Sequence, residues 1–312
     1  MKMGPATLII LSAMLLLALP TLALAPRQDV FWARTTTDPI TLDGVLDEPA
    51  WAQAETKLIE WQVNAGDPGS GWKFEACGLV DPDPTYATLK FLVKDNQLYL
   101  GAVVEDISVG GSTEFNRFDG FLMGLKDHSS PEAPKPVAEY LYSWWYAEEG
   151  EDPQPPGQSP NFKGRWGSDP FGAPRTPEQI ENWDAVTVVN GLSNDDLSGP
   201  DVGYTVEMRF NLTPMGYDVT VPEGDVIEWN ISIYDCDWLW PLDVGRLSYN
   251  RVWWQSPWGN TAWYHQVNIF ARPDVTVAST APLPDIRAEL HVPDGASLPA
   301  PSIDGNLDEA VW

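Results

Sequence analysis

What narrows the fold most is a long succession of short strand-like runs cut by turn residues. YATLKFLV (86–93) and QLYLGAVVE (97–105) have strand length and apolar pattern, and the Lys94-Asp95-Asn96 between them is hairpin punctuation. DGFLMGL, VAEYLYSWWYA, DAVTVVNG, GYTVEMRF, DVIEWNISIYD, RLSYNRVWW and YHQVNIFA follow, with Gly, Pro, Asn or Asp between them. Many strands with hardly any helical period predict an all-β protein, an antiparallel β-sandwich of jelly-roll type or a barrel. One short N-terminal helix is expected. Asp47 is placed to cap it, Glu48 and Pro49 suit its first turn, and Ala50 to Glu55 continue it. From Gly150 to Pro177 the chain holds seven prolines and five glycines. That stretch is expected to be a loop folded over one face or edge of a sheet.

The two ends read differently. Residues 1–25 carry a basic Lys2, an apolar run through Leu19, Pro20, and small residues ending in Ala23-Leu24-Ala25. This is the layout of a secretory signal peptide, cleaved after Ala25 or after Ala23. The apolar run is short for a membrane anchor, so a secreted, extracellular or periplasmic module without a membrane span is expected for residues 26–272. Residues 273–300 turn Pro/Ala/Asp-rich, as in APLPD and PDGASLPAP, and read as a linker. Residues 301–312 then echo the beginning: DGNLDEAVW (304–312) repeats DGVLDEPAW (43–51) at an offset of 261 with six identities in nine positions. An echo after a linker predicts tandem modules, with this chain a fragment ending in the first turn of a second copy.

Charge and motifs exclude several function classes. Forty-five acidic residues against eighteen basic ones give a net charge of -27. Nucleic acid would be repelled, since its binders displace counterions with Lys and Arg. The three histidines, His128, His265 and His291, are scattered, and no HExxH, GxSxG or phosphate loop occurs; no enzyme activity is predicted. Cys77 and Cys236 are the only cysteines. Export permits a disulfide between them, but their spacing does not pair them.

LDGVLDEPAW also resembles the opening motif of family 9 carbohydrate-binding modules and the wider DOMON-like superfamily. LKFLVKDNQLYLGAVVED is similar to the central hairpin of that family, with its aspartate at the end. FDGFLMGLKD, GYTVEMRFNLTPMG, GDVIEWNISIYDCD and WWQSPWGNTAWYHQVNIF resemble later strands and the closing tryptophan loop, so that the likeness spans about residues 38–271. It implies a non-catalytic β-sandwich that binds a polysaccharide or oligosaccharide, often with calcium supporting its loops. Trp258 falls on the family's closing-loop tryptophan, with Phe115 or Phe118 as the opposing ring and Arg246 or Arg251 as the later arginine. The chain departs from the family elsewhere. Phe121-Leu122-Met123 stands where relatives carry an acid, Leu141 where they carry a base and Ser232 where they carry an amide.

The residue types bear on that implication directly. A pyranose has an apolar face that stacks on indole and a rim that needs hydrogen bonds. Sixteen tryptophans are present, including the doublets Trp144-Trp145 and Trp253-Trp254. Successive strand residues point to opposite faces, so one ring of each doublet leaves the core, either to be covered by the long insert or to form a platform. Trp258, Trp263 and Tyr264 form the other platform candidate. Asp195, Asp196 and Asp201 in SNDDLSGPD, with Asp235 and Asp237, are candidate calcium ligands, although solvated acidic loops have the same composition. A haem-binding domain is a rival reading. It requires an axial Met, Lys or His, and Met123, Lys126 and His128 lie close together. A purely structural or interaction module is the third.

Overall fold

In the computed structural model residues 30–60, 70–76, 85–109, 119–126, 128–129, 138–145, 162–166, 177–191, 201–237, 248–254 and 267–278 are described. The chain opens with β1 (Val30–Trp32), β2 (Arg34–Thr35), α1 (Pro49–Gln53), β3 (Thr56–Glu60) and β4 (Ser70–Ala76). The hairpin β5 (Tyr86–Lys94) and β6 (Gln97–Glu105) follows, then β7 (Gly120–Lys126), β8 (Ala138–Trp145) and β9 (Phe162–Trp166). After α2 (Pro177–Asn182) come β10 (Trp183–Asn190), β11 (Gly203–Asn211), β12 (Asp225–Asp237), β13 (Ser248–Trp254) and β14 (Val267–Ala271). No helix among the described residues is long and apolar enough to cross a membrane.

These strands form two sheets around one core. The eight-stranded sheet runs β1-β14-β12-β7-β8-β9, with β13 beside β12 and β4 beyond β13. The six-stranded sheet runs β10-β11-β6-β5, and both β2 and β3 lie beside β5. All pairs are antiparallel except β1 with β14 and β2 with β5. Along one edge β12 pairs first with β14 and then with β13. The sandwich expected from the strand pattern is therefore present.

Period-2 alternation sorts the residues. Leu98, Leu100, Ala102 and Val104 of β6, Met208 and Phe210 of β11, and Ile227, Trp229, Ile231 and Ile233 of β12 all enter a single buried cluster. An aromatic spine crosses it. Trp183 stacks on Phe210 with centroids 6.2 Å apart, and Phe210 meets Trp229 edge-on at 4.7 Å. Phe91 continues the contact at 6.5 Å, followed by Phe31 at 5.5 Å. Burying each such ring stabilises the fold by about 1.5–3 kcal/mol.

The LDGVLDEPAW motif closes the outer face of the six-stranded sheet. Leu42, Leu46, Ala50 and Trp51 pack there on Leu92 and Tyr99, forming a second small core. Gly101 makes room for it: a Cβ at that position would lie 2.7 Å from Leu46 Cδ2 and 3.1 Å from the Trp51 ring. Glu207 of β11 pins the motif. Its Oε2 accepts the Asp43 and Gly44 amides, and its Oε1 accepts the Trp51 indole N–H, all at 3.0 Å.

Several expectations are revised. The helix stops at Gln53, because Ala54 is extended and the Glu55 carboxylate turns away to accept the Trp32 amide at 2.7 Å. Its N-cap is Glu48 rather than Asp47, and the Glu48 side chain bonds the Thr41 amide instead of the helix. The Gly150–Pro177 stretch is not all loop, since β9 adds an edge strand to β8. β1 to β4 and α2 were not legible as elements in the sequence.

Candidate functional site

The candidate site is the outer face of the eight-stranded sheet. On β12 the residues between the core positions are Glu228, Asn230, Ser232 and Tyr234, all buried although they point away from the core. Register places β7 alongside, with Gly124 opposite Asn230, Leu122 opposite Ser232 and Gly120 opposite Tyr234. Gly120 and Gly124 stand beside the polar row and, like it, are buried.

Both tryptophan doublets fall in strands of this same sheet. Trp253 pairs with Ser232 and Trp254 with core-facing Ile231. Trp144 pairs with Gly120, on the outer-face side of core-facing Phe121. By register Trp144, Tyr140 and Tyr142 of β8 and Trp253 and Arg251 of β13 occupy the rows of Asn230, Ser232 and Tyr234. The two tryptophan positions are three strands and one row apart, roughly 16 Å by sheet spacing.

One end of the row is charged. Glu228 accepts from Lys126 Nζ at 2.9 Å and lies 2.6 Å from His128 Nε2. Tyr217 ties the cluster together: its hydroxyl donates to the Lys126 carbonyl at 2.8 Å, and its ring lies 4.7 Å from that of His128. Burial alone would raise the Glu228 carboxyl, but the bonds from His128 and Lys126 outweigh it and hold it below the usual carboxylate range.

Inside the sandwich, three carboxylates converge at one end. Asp106 follows β6, Asp119 precedes β7 and Asp235 lies on β12, each almost fully buried. Each offers an oxygen within 4.8 Å of the others. Two oxygens on one calcium ion, each about 2.3–2.6 Å from it, are separated by at most about 5 Å, so the spacing fits a single hard cation.

Among the sequence candidates, Arg251 is placed beside Tyr234 at the outer face. Phe115, Phe118, Arg246, Trp258 and Trp263 lie outside the described residues, as do Asp195, Asp196 and Cys77. Asp201 is not one of the three converging acids; its carboxylate accepts the Val109 amide at 2.9 Å and so fastens the segment after β6 to the start of β11. Of the three residues named for haem, Met123 belongs to the core cluster, and Lys126 and His128 are both engaged by Glu228. Sequence reasoning overlooked Asp106 and Asp119 as a pair with Asp235. The available signal was that one follows and the other precedes a strand run, each in step with its core-facing residues.

No protein-family model matches the chain, and no curated protein matches it. Among solved structures it is similar to a family 9 carbohydrate-binding module from Caldicellulosiruptor kristjanssonii in complex with cellotriose. That match has 13% identity and a TM-score of 0.47, covering 82% of this chain and 100% of that one. The module in complex with glucose gives 14% identity, the same TM-score and the same coverage. Likeness of this degree assigns no ligand.

Proposed function

We propose that this chain is a non-catalytic module of a secreted multi-module protein that binds polysaccharide or oligosaccharide along the outer face of its eight-stranded sheet. The reading rests on one observation: register assigns Trp144 and Trp253 to the same face, on either side of the row Asn230, Ser232 and Tyr234. Indole offers stacking to the C–H face of a sugar and Arg251 would add charge-assisted bonds, above a buried row of Asn230, Ser232 and Tyr234. Trp258 and Trp263, which follow β13 in sequence, are proposed as further rings. Weak sites of this kind gain through repetition in tandem copies, by effective concentration. Asp106, Asp119 and Asp235 would hold calcium, which would neutralise the converging carboxylates and brace that end of the sandwich.

Retention on insoluble and soluble glucans, xylan and mannan, followed by calorimetry on the best ligand, tests the proposal. Trp253→Ala and Trp144→Ala should each weaken binding about tenfold, near 1.4 kcal/mol. A properly folded protein that binds none of these glycans, or binds one equally well without either indole, overturns it.

A further inference from the structure

A second, unrelated site lies at the other end of the β5–β6 hairpin from Asp106. There a cleft of about 250 Å³ opens between the Thr35-Thr36-Thr37 run, Lys94 and Asp95 at the hairpin turn, Val219 and Thr220, and Pro273 after β14. Its walls are tied down individually. The Thr36 amide donates to the Val93 carbonyl at 2.9 Å, and the Thr35 hydroxyl to the Arg272 carbonyl at 2.9 Å. Asn96 grips the facing wall, donating to the Tyr217 carbonyl at 2.8 Å and accepting the Val219 amide at 3.1 Å. Asp95 sits at φ 53°, the one non-glycine at positive φ among the described residues. A two-residue hairpin turn asks that conformation of its Asp. A cleft with fixed walls loses little entropy on binding.

The lining selects a ligand class. Lys94 and Asp95 are adjacent and opposite in charge, so an anion meets the carboxylate and a cation meets the ammonium. On the remaining sides the Thr35 and Thr220 hydroxyls, whose protons go to the Arg272 carbonyl and the Asp218 carboxylate, offer acceptors, and Thr37 adds a further hydroxyl. Val219 and Pro273 form a small apolar patch among them. The volume is below the roughly 300–1,000 Å³ of pockets for drug-sized ligands. We propose that this cleft binds a small neutral polyol of about one sugar ring, with vicinal hydroxyls bridging Lys94 and Asp95 and a C–H face against Val219 and Pro273. This site is separate from the outer face of the eight-stranded sheet and does not depend on its function.

Saturation-transfer NMR on the full chain with glucose, xylose, glycerol and methyl phosphate, an anion whose C–H protons report transfer, is the test. Transfer to at least one of the neutral probes and none to methyl phosphate is expected. Lys94→Met and Thr37→Val, both at the surface, should each weaken the neutral probe about tenfold, the loss of one hydrogen bond to a charged or polar group. Their melting temperatures should stay at the wild-type value, and Lys94→Met should leave polysaccharide retention unchanged. Absence of transfer to every neutral probe, transfer to methyl phosphate, or signals indifferent to both substitutions overturns the proposal. Loss of polysaccharide retention in Lys94→Met would show that the two sites are not separate and would overturn it equally.

Discussion

Glutamine at position 207 keeps the size of the side chain and removes its ability to accept at both ends. In the native protein one carboxylate oxygen serves two backbone amides and the other serves the Trp51 indole. Glutamine has one carbonyl oxygen. If that oxygen stays with Asp43 and Gly44, its NH2 group faces the indole N–H, donor against donor. Stranding one buried donor costs about 1–3 kcal/mol. At about 2 kcal/mol, a domain of 150–250 residues loses roughly 4–8 °C in melting temperature. Trp51→Phe removes the stranded donor, so glutamine should cost less in that background, with a coupling of about 1–2 kcal/mol in a double-mutant cycle.

The same substitution has a pH signature. Burial pushes the Glu207 carboxyl up; the bonds from Asp43, Gly44 and Trp51 pull it back only in part, and nearby Glu48 adds to the rise. A carboxyl raised on folding contributes stability that is complete below its unfolded value, near 4.3, and is lost as pH climbs through the higher folded value. Glutamine does not titrate. The gap in melting temperature between wild type and Glu207→Gln should therefore be widest in acid and narrow towards neutral pH, read by tryptophan fluorescence. A gap that widens with pH, or an additive cycle with Trp51→Phe, refutes the reasoning.

Glu228 carries the opposite sign. Its carboxyl is held low by His128 and Lys126 against the opposing effect of burial, so its contribution is present above the unfolded value near 4.3 and disappears as pH falls through the lower folded value. Melts of Glu228→Gln and wild type should converge in strong acid and separate above about pH 5; parallel curves would exclude the ion-pair account. Calcium at a hundredfold excess over its dissociation constant should stabilise the wild type by about 2.7 kcal/mol. Asp235→Asn should lose most of that gain, and melts that do not respond to calcium would remove the metal from the proposal.

The nine long strand runs were legible because each shows period-2 alternation or a continuous apolar stretch between turn residues. What escaped notice lacked that pattern. β1 and β2 are three and two residues long, and each pairs in parallel with a strand far along the chain. β9, FKGRW, is broken by Gly164 and lies in a proline-rich setting that reads as loop. The helix was overextended because nothing local tells Glu55 to bond Trp32, a contact made only once β1 is in place. Glu207 went unnoticed for a related reason. In GYTVEMRF a glutamate between apolar neighbours looks like an ordinary solvent-facing strand residue, and only the folded LDGVLDEPAW motif converts that position into an enclosed anchor. Both doublets fall in strands, and that the two strands belong to one sheet was decided by strand order, which alternation does not encode.

Strand order also decides what each outer face carries. A sandwich has two outer faces, and each must be solvated or covered. On the six-stranded sheet the LDGVLDEPAW motif occupies the middle, seated on Gly101 and held by Glu207, so the central rows of β6 and β11 are closed. What remains open there is a row of Val188, Thr205, Val103, Thr88 and Leu58, one residue per strand. Its valines and leucine are separated by threonines, and singly exposed apolar side chains of this sort are normal on a protein surface. The eight-stranded sheet is different in kind. Its outer rows combine amide, hydroxyl, arginine and indole positions around two glycines, a composition that core packing does not require of an outer face. Removing the Glu207 anchor should therefore lower stability without lowering glycan affinity in the molecules that remain folded, whereas Trp253→Ala should do the reverse. If the two substitutions change the same quantity, the division of labour between the faces is wrong.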